Sequence, residues 1–112
     1  MFGRDDVLRA LRGHIGAANG ARAADLVAEI TSDASPDPVA ERHLRKLITA
    51  LRMEGWHICA HPKTGYFIAA TDAELNQTCE FLYERAMASL AQVSRMKNVS
   101  LPDLLGQLHL PD

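Results

Sequence analysis

Apolar residues open the chain at helical spacing. Val7, Leu8, Leu11 and Ile15 line one side of a segment from Asp5 to about His14, with Asp5 and Asp6 in the first turn, where the backbone dipole favours negative charge. Gly13 and Gly16 end it. Beyond Asn19-Gly20, Ala23, Leu26, Val27 and Ile30 make the stripe of a second short helix, about Ala21 to Ile30. Both are short enough to depend on tertiary packing. Thr31-Ser32-Asp33-Ala34-Ser35-Pro36-Asp37-Pro38 is dense in turn formers and prolines and predicts a loop. A third helix, about Val39 to Glu54, turns Ala40, Leu44, Leu47, Ile48 and Leu51 inward, and Gly55 stands where a left-handed cap would stop it.

The period then changes. Trp56-His57-Ile58-Cys59-Ala60 and Tyr66-Phe67-Ile68-Ala69 are short, aromatic and β-branched, and His61-Pro62-Lys63-Thr64-Gly65 lies between them as a turn, so this stretch predicts a β-hairpin. Thr71-Asp72-Ala73-Glu74 has the form of a capping box opening a long helix to about Lys97. Along that helix Leu75, Cys79, Leu82, Ala86, Ser89, Val93 and Met96 alternate steps of four and three, a heptad-like seam, while Tyr83, Met87 and Leu90 widen the apolar stripe. A last helix starting at Ser100, with Pro102 early and Asp103 three residues after Ser100, carries Leu101, Leu104, Leu105 and Leu108. The predicted order is three helices, two strands and two helices, divided into residues 1–70 and a C-terminal extension of residues 71–112.

Three short helices followed by a two-stranded hairpin is the winged helix-turn-helix plan: a mainly α, α+β fold with a hairpin wing, here with a helical extension. Leu51, Arg52 and Gly55, followed by Gly65 and Tyr66, strengthen that reading. This stretch resembles the N-terminal DNA-binding domains of biotin repressor-type regulators and small phage-borne winged helix proteins, in which the recognition helix ends in Leu-Arg-x-x-Gly and the wing closes with Gly-Tyr. The resemblance covers roughly residues 5–70 and implies non-enzymatic binding of double-stranded DNA by a regulator of transcription or a mobile-element factor.

Charge decides where such binding would occur. The chain carries a net charge of -2, so its global field does not draw it to nucleic acid. From residue 39 to 70, however, Arg42, Arg45, Lys46, Arg52 and Lys63 stand against only Glu41 and Glu54. With the apolar stripe inward, Arg42, Arg45, Lys46, Thr49 and Arg52 share the opposite face of the third helix, and Lys63 sits at the wing tip. Arg45, Thr49 and Arg52 are then expected to face base edges in the major groove, while Arg42, Lys46 and Lys63 hold phosphates. Two features oppose this picture. About eight residues replace the usual tight turn between the second and third helices, and Asp33, Asp37 and Glu41 approach the N-terminus of the recognition helix. They either complement its dipole or mark a protein-interaction module that does not bind DNA, such as an inhibitor or a replication accessory factor.

Other chemistry has little foothold in the sequence. There is no nucleophile elbow, no glycine-rich phosphate loop and no paired carboxylates with a site around them, so no catalytic residue and no cofactor is expected. His57, Cys59 and His61 alternate along the first strand and would share one exposed face, opposite Trp56 and Ile58; lacking a fourth ligand they predict no metal site. His14, His43 and His109 are expected at helix ends or on the surface. Two cysteines without metal spacing, an opening that turns polar at Gly3-Arg4-Asp5-Asp6, and the lack of a long apolar run point to a cytoplasmic or nucleoid-associated chain with no membrane partner. The long helix offers Leu75, Cys79, Leu82, Ala86 and Val93 either for packing on the chain's own core or for a homodimer.

Overall fold

The computed structural model describes residues 1–107; Leu108 and His109 lie outside the described residues. The order is α1 (Arg4–Leu11), a 3-10 turn (Ala17–Asn19), α2 (Ala23–Thr31), α3 (Pro38–Met53), β1 (Ile58–His61), β2 (Gly65–Ile68), α4 (Asp72–Lys97) and α5 (Leu101–Gln107). The chain is thus a mainly helical α+β protein with one two-stranded antiparallel sheet. No helix among the described residues is long and apolar enough to cross a membrane. Two compact units divide inside α4, Met1–Thr78 and from Cys79 onward, two helical turns beyond the break expected at 70/71.

In the first unit α1, α2 and α3 pack on one another around Val7, Leu11, Leu26, Val27, Ala40, Leu44, Ile48 and Leu51, and Ile58 of the hairpin closes the cluster. Each fully buried leucine or isoleucine of this kind is worth roughly 1.5–3 kcal/mol of transfer free energy. α3 has defined ends. The Asp37 carboxylate accepts from the Ala40 N–H (3.1 Å), and Pro38, expected in the loop, is instead the first helical residue, where its missing N–H costs nothing. At the far end the Gly55 N–H donates to Arg52 O (2.9 Å) and the Trp56 N–H to Leu51 O (3.1 Å), with Gly55 at φ +99°, a Schellman cap.

β1 pairs with β2 so that Ile58 faces Ile68 and His61 faces Gly65. The outer edge of β2 is also occupied: the Ile68 N–H donates to His14 O and its carbonyl accepts from the Gly16 N–H, both at 2.8 Å, and Tyr66 exchanges two backbone bonds with Ala21. These pairings correct the expected helix limits. α1 stops at Leu11, short of His14, and α2 starts at Ala23 rather than Ala21, because His14 and Ala21 are bonded to the sheet. Gly65 has φ +93°, and a Cβ there would collide with the Ala21 carbonyl; a Cβ on Gly20 would lie 2.6 Å from Thr64 O. Only glycine lets these two segments approach so closely.

The capping box expected at α4 forms on one side only. The Glu74 N–H donates to Thr71 Oγ1 (3.2 Å), but the Glu74 carboxylate turns to the N–H groups of Ala17 (2.9 Å) and Ala70 (2.8 Å). Those bonds, Ala17 foremost, hold the Glu74 carboxyl below its ordinary range. They join the start of α4 to the 3-10 turn. In the second unit α4 ends in another Schellman cap around Asn98 at φ +56°, with the Val99 N–H on Ser94 O (2.9 Å) and the Asn98 N–H on Arg95 O (3.2 Å). Ser100 precedes α5, where its Oγ accepts from the Asp103 N–H (3.4 Å), and within the helix Leu104 and Leu105 are buried.

Candidate nucleic-acid interface

The outward face of α3 follows from its inward one. With Ala40, Leu44, Ile48 and Leu51 buried at steps of four and three, Arg42, Arg45, Lys46 and Thr49 are left facing outward. Arg45 Nη2 lies 3.6 Å from Glu41 one turn back, an exposed pair of little energetic weight. Thr49 Oγ1 donates to Arg45 O (3.1 Å), a bond to its own helix that an outside acceptor can replace. Among the described residues Arg42, Lys46 and Lys63 enter no ion pair of 4 Å or less, whereas Arg4 bonds Asp5 and Glu54, and Arg9 bonds Asp6.

Arg52 differs from the others. Its side chain is half-buried, Nε donates to the Ile58 carbonyl at 2.7 Å, and Nη2 is enclosed without a hydrogen-bond partner. A guanidinium held in this way couples the last turn of α3 to the first residue of the hairpin. The free outward side chain expected at Arg52 is instead half-buried and bonded within the chain.

A second cationic side chain reaches the hairpin turn. Lys63 is exposed, its N–H donates to His61 Nδ1 (3.0 Å), and its carbonyl accepts from Arg22 Nη2 (3.4 Å). Arg22 immediately precedes α2 and reaches the tip because Gly20 and Gly65 allow the segment before α2 to touch the turn. Arg22 and Lys63 are 41 residues apart, and no local pattern links them.

No protein-family model matches this chain, and neither does any curated protein or any solved structure. The residues themselves therefore carry the remaining case.

The acids near the start of α3 have local work. Asp37 caps the helix, and Asp33 accepts from the Ser35 N–H (2.9 Å), the bond that lowers its carboxyl below the ordinary value. Both carboxylates bond backbone N–H groups.

The strand residues weighed as ligands do not share an exposed face. Cys59 is fully buried, between the sheet and the first turn of α4, where Sγ lies 3.7 Å from Glu74 O; His57 and His61 are exposed. Alternation failed as a guide because β1 is covered on both faces, by the three-helix core at Ile58 and by α4 at Cys59. Among the described residues no group of His, Cys, Asp and Glu is arranged to hold a metal. His14 lies between Asn19 O (2.8 Å) and Glu29 (2.9 Å), and His43 Nε2 donates to Phe2 O (2.7 Å). An open groove of about 340 Å³ beside α1 and α2 is lined by Asp6, Arg9, Ala10, Gly13, Glu29 and Ile30, but its charged groups are already engaged, Arg9 with Asp6 and Glu29 with His14.

Of the residues expected on a dimer seam, Leu75 is half-buried, while Cys79, Leu82, Ala86 and Val93 are exposed. The apolar stripe that looked continuous in sequence divides in two. Met87, Leu90 and Ser94 are half-buried, and the seam beside them stays open to water.

Proposed function

We propose that this chain is a winged helix-turn-helix protein that binds duplex DNA without catalysing a reaction, with α3 as the recognition helix and the β1–β2 hairpin as the wing. One observation carries the reading: Arg42, Arg45, Lys46 and Thr49 form a continuous outward stripe that the chain's own carboxylates leave almost untouched. Support for the fold comes from the order of the three helices and the hairpin, and from the short backbone pairings at Ile15 and Ala21 that extend the sheet. Arg45 and Thr49 would face base edges. Arg42, Lys46, Lys63 and Arg22 would neutralise phosphates on either side. Arg52 is assigned to holding the wing at its angle to α3. The six residues between α2 and α3 lengthen the turn, and the bonds that Asp33 and Asp37 accept turn its acids towards backbone N–H groups.

Selection from a random duplex library followed by fluorescence anisotropy tests the proposal. Wild-type affinity should fall steeply with salt, and replacing Arg42, Arg45 and Lys46 together by Ala should reduce the slope of log K against log salt by about 0.9 for each phosphate no longer neutralised. If the chain has no salt-dependent affinity for any duplex at low ionic strength, the reading fails and the stripe belongs to a protein contact.

A further inference from the structure

The outward stripe of α3 is cationic in its middle and apolar at both ends. Val39, Arg42, Lys46, Thr49 and Met53 follow one another at steps of three and four, so they share the face opposite Ala40, Leu44, Ile48 and Leu51. Val39 is 59% exposed and Met53 85% exposed, and neither joins the hydrophobic cluster of the first unit. Val39 stands in the first turn of the helix, where the Asp37 carboxylate bonds the Ala40 N–H.

Attraction to phosphates accounts for the cations of this stripe but not for its apolar ends. In the major groove the base edges present hydrogen-bond donors and acceptors together with a single apolar group, the C5-methyl of thymine. An apolar side chain that enters the groove among phosphate-binding cations has that methyl as its apolar counterpart. Recognition helices meet base edges with their N-terminal residues, which selects Val39 over Met53.

We infer that Val39 reads the C5-methyl group of a pyrimidine in the bound duplex, that of thymine in unmodified DNA. This rests on the duplex-binding reading and adds a base preference to it. The contact excludes water from two apolar groups and makes no hydrogen bond, so its energy is that of one buried methyl.

The test uses the full chain, the duplexes obtained by library selection, and fluorescence anisotropy at one fixed salt concentration. Uracil, which lacks only the C5-methyl, replaces each thymine of the selected site in turn. At one position or more it should weaken wild-type binding about fourfold, the equivalent of one buried methyl. Val39→Ala should bind the thymine and uracil duplexes equally at such a position, whereas Met53→Ala should keep the difference, with circular dichroism of both variants matching wild type. At the same position 5-methylcytosine should bind more tightly than cytosine by a similar factor, which separates the methyl from the rest of the thymine ring. Salt-dependent duplex binding that is indifferent to uracil at every position, or a difference that survives Val39→Ala, would overturn the methyl contact and leave the duplex reading standing. No affinity for any duplex would remove both.

Discussion

α3 and α4 are both amphipathic in sequence, yet they differ in what they bury. The 16 residues of α3 bury Ala40, Leu44, Ile48 and Leu51, whereas the 26 residues of α4 bury Thr78. α3 is held by the core on one face, a side-chain cap at its start and a Schellman turn and Arg52 at its end. α4 is anchored at its start through Glu74 and runs on with its seam in water. Helical pattern alone therefore does not separate a helix that buries its apolar face from one that leaves its apolar positions exposed; burial does.

The largest test of this contrast is a pair of truncations. Leu44→Ala should destabilise the protein by about 2–5 kcal/mol in urea unfolding, since it removes a fully buried side chain from the three-helix cluster. Leu82→Ala should cost less than about 1 kcal/mol at low protein concentration, and its cost should grow with concentration if the seam self-associates. Equal losses at low concentration would abolish the distinction.

Arg52→Ala should have an intermediate effect. Loss of the charge-assisted bond to the Ile58 carbonyl is expected to lower stability by about 1–2 kcal/mol. The salt slope of the proposed duplex binding should stay near wild type, unlike that of the Arg42, Arg45 and Lys46 variant. A drop in slope with unchanged stability would return Arg52 to the interface.

The smallest effect concerns the anchored end of α4 and depends on pH. The Glu74 carboxyl is depressed by the Ala17 and Ala70 N–H groups, so its contribution is present above the unfolded-state value near 4.5 and is lost as pH falls through the lower folded value. Glu74→Gln should lower the midpoint of thermal unfolding at neutral pH, and the gap to wild type should narrow progressively below pH 4.5. A gap that is constant down to the acid limit would detach Glu74 from this role.

Local signals made much of this molecule legible. The α3 stripe, the left-handed Gly55, the hairpin and the exposed basic face all follow from periodicity and turn chemistry confined to windows of a few residues. The features that escaped join distant segments. Ala21 bonds Tyr66, Arg22 reaches Lys63, Arg52 reaches Ile58 O across the end of α3, and Glu74 turns back to Ala17; in each case the residue type permits the bond but no spacing specifies it. Cys59 was misplaced for a related reason, because alternation locates a side chain relative to its strand and says nothing of what covers each face. The candidate interface was readable as a set of basic residues. What the sequence could not supply was tertiary: Arg52 is bonded to the Ile58 carbonyl, and Arg22 reaches Lys63.

The hairpin's outer hydrogen-bonding groups are largely occupied. Along β2, Tyr66 and Ile68 are bonded to Ala21, His14 and Gly16, and on the far side the Ile58 carbonyl is taken by Arg52. An incoming strand from another molecule would have to displace these bonds before it could add to the sheet, which is how short sheets resist edge-to-edge aggregation. Strand addition along β2 and at Ile58 is thereby disfavoured.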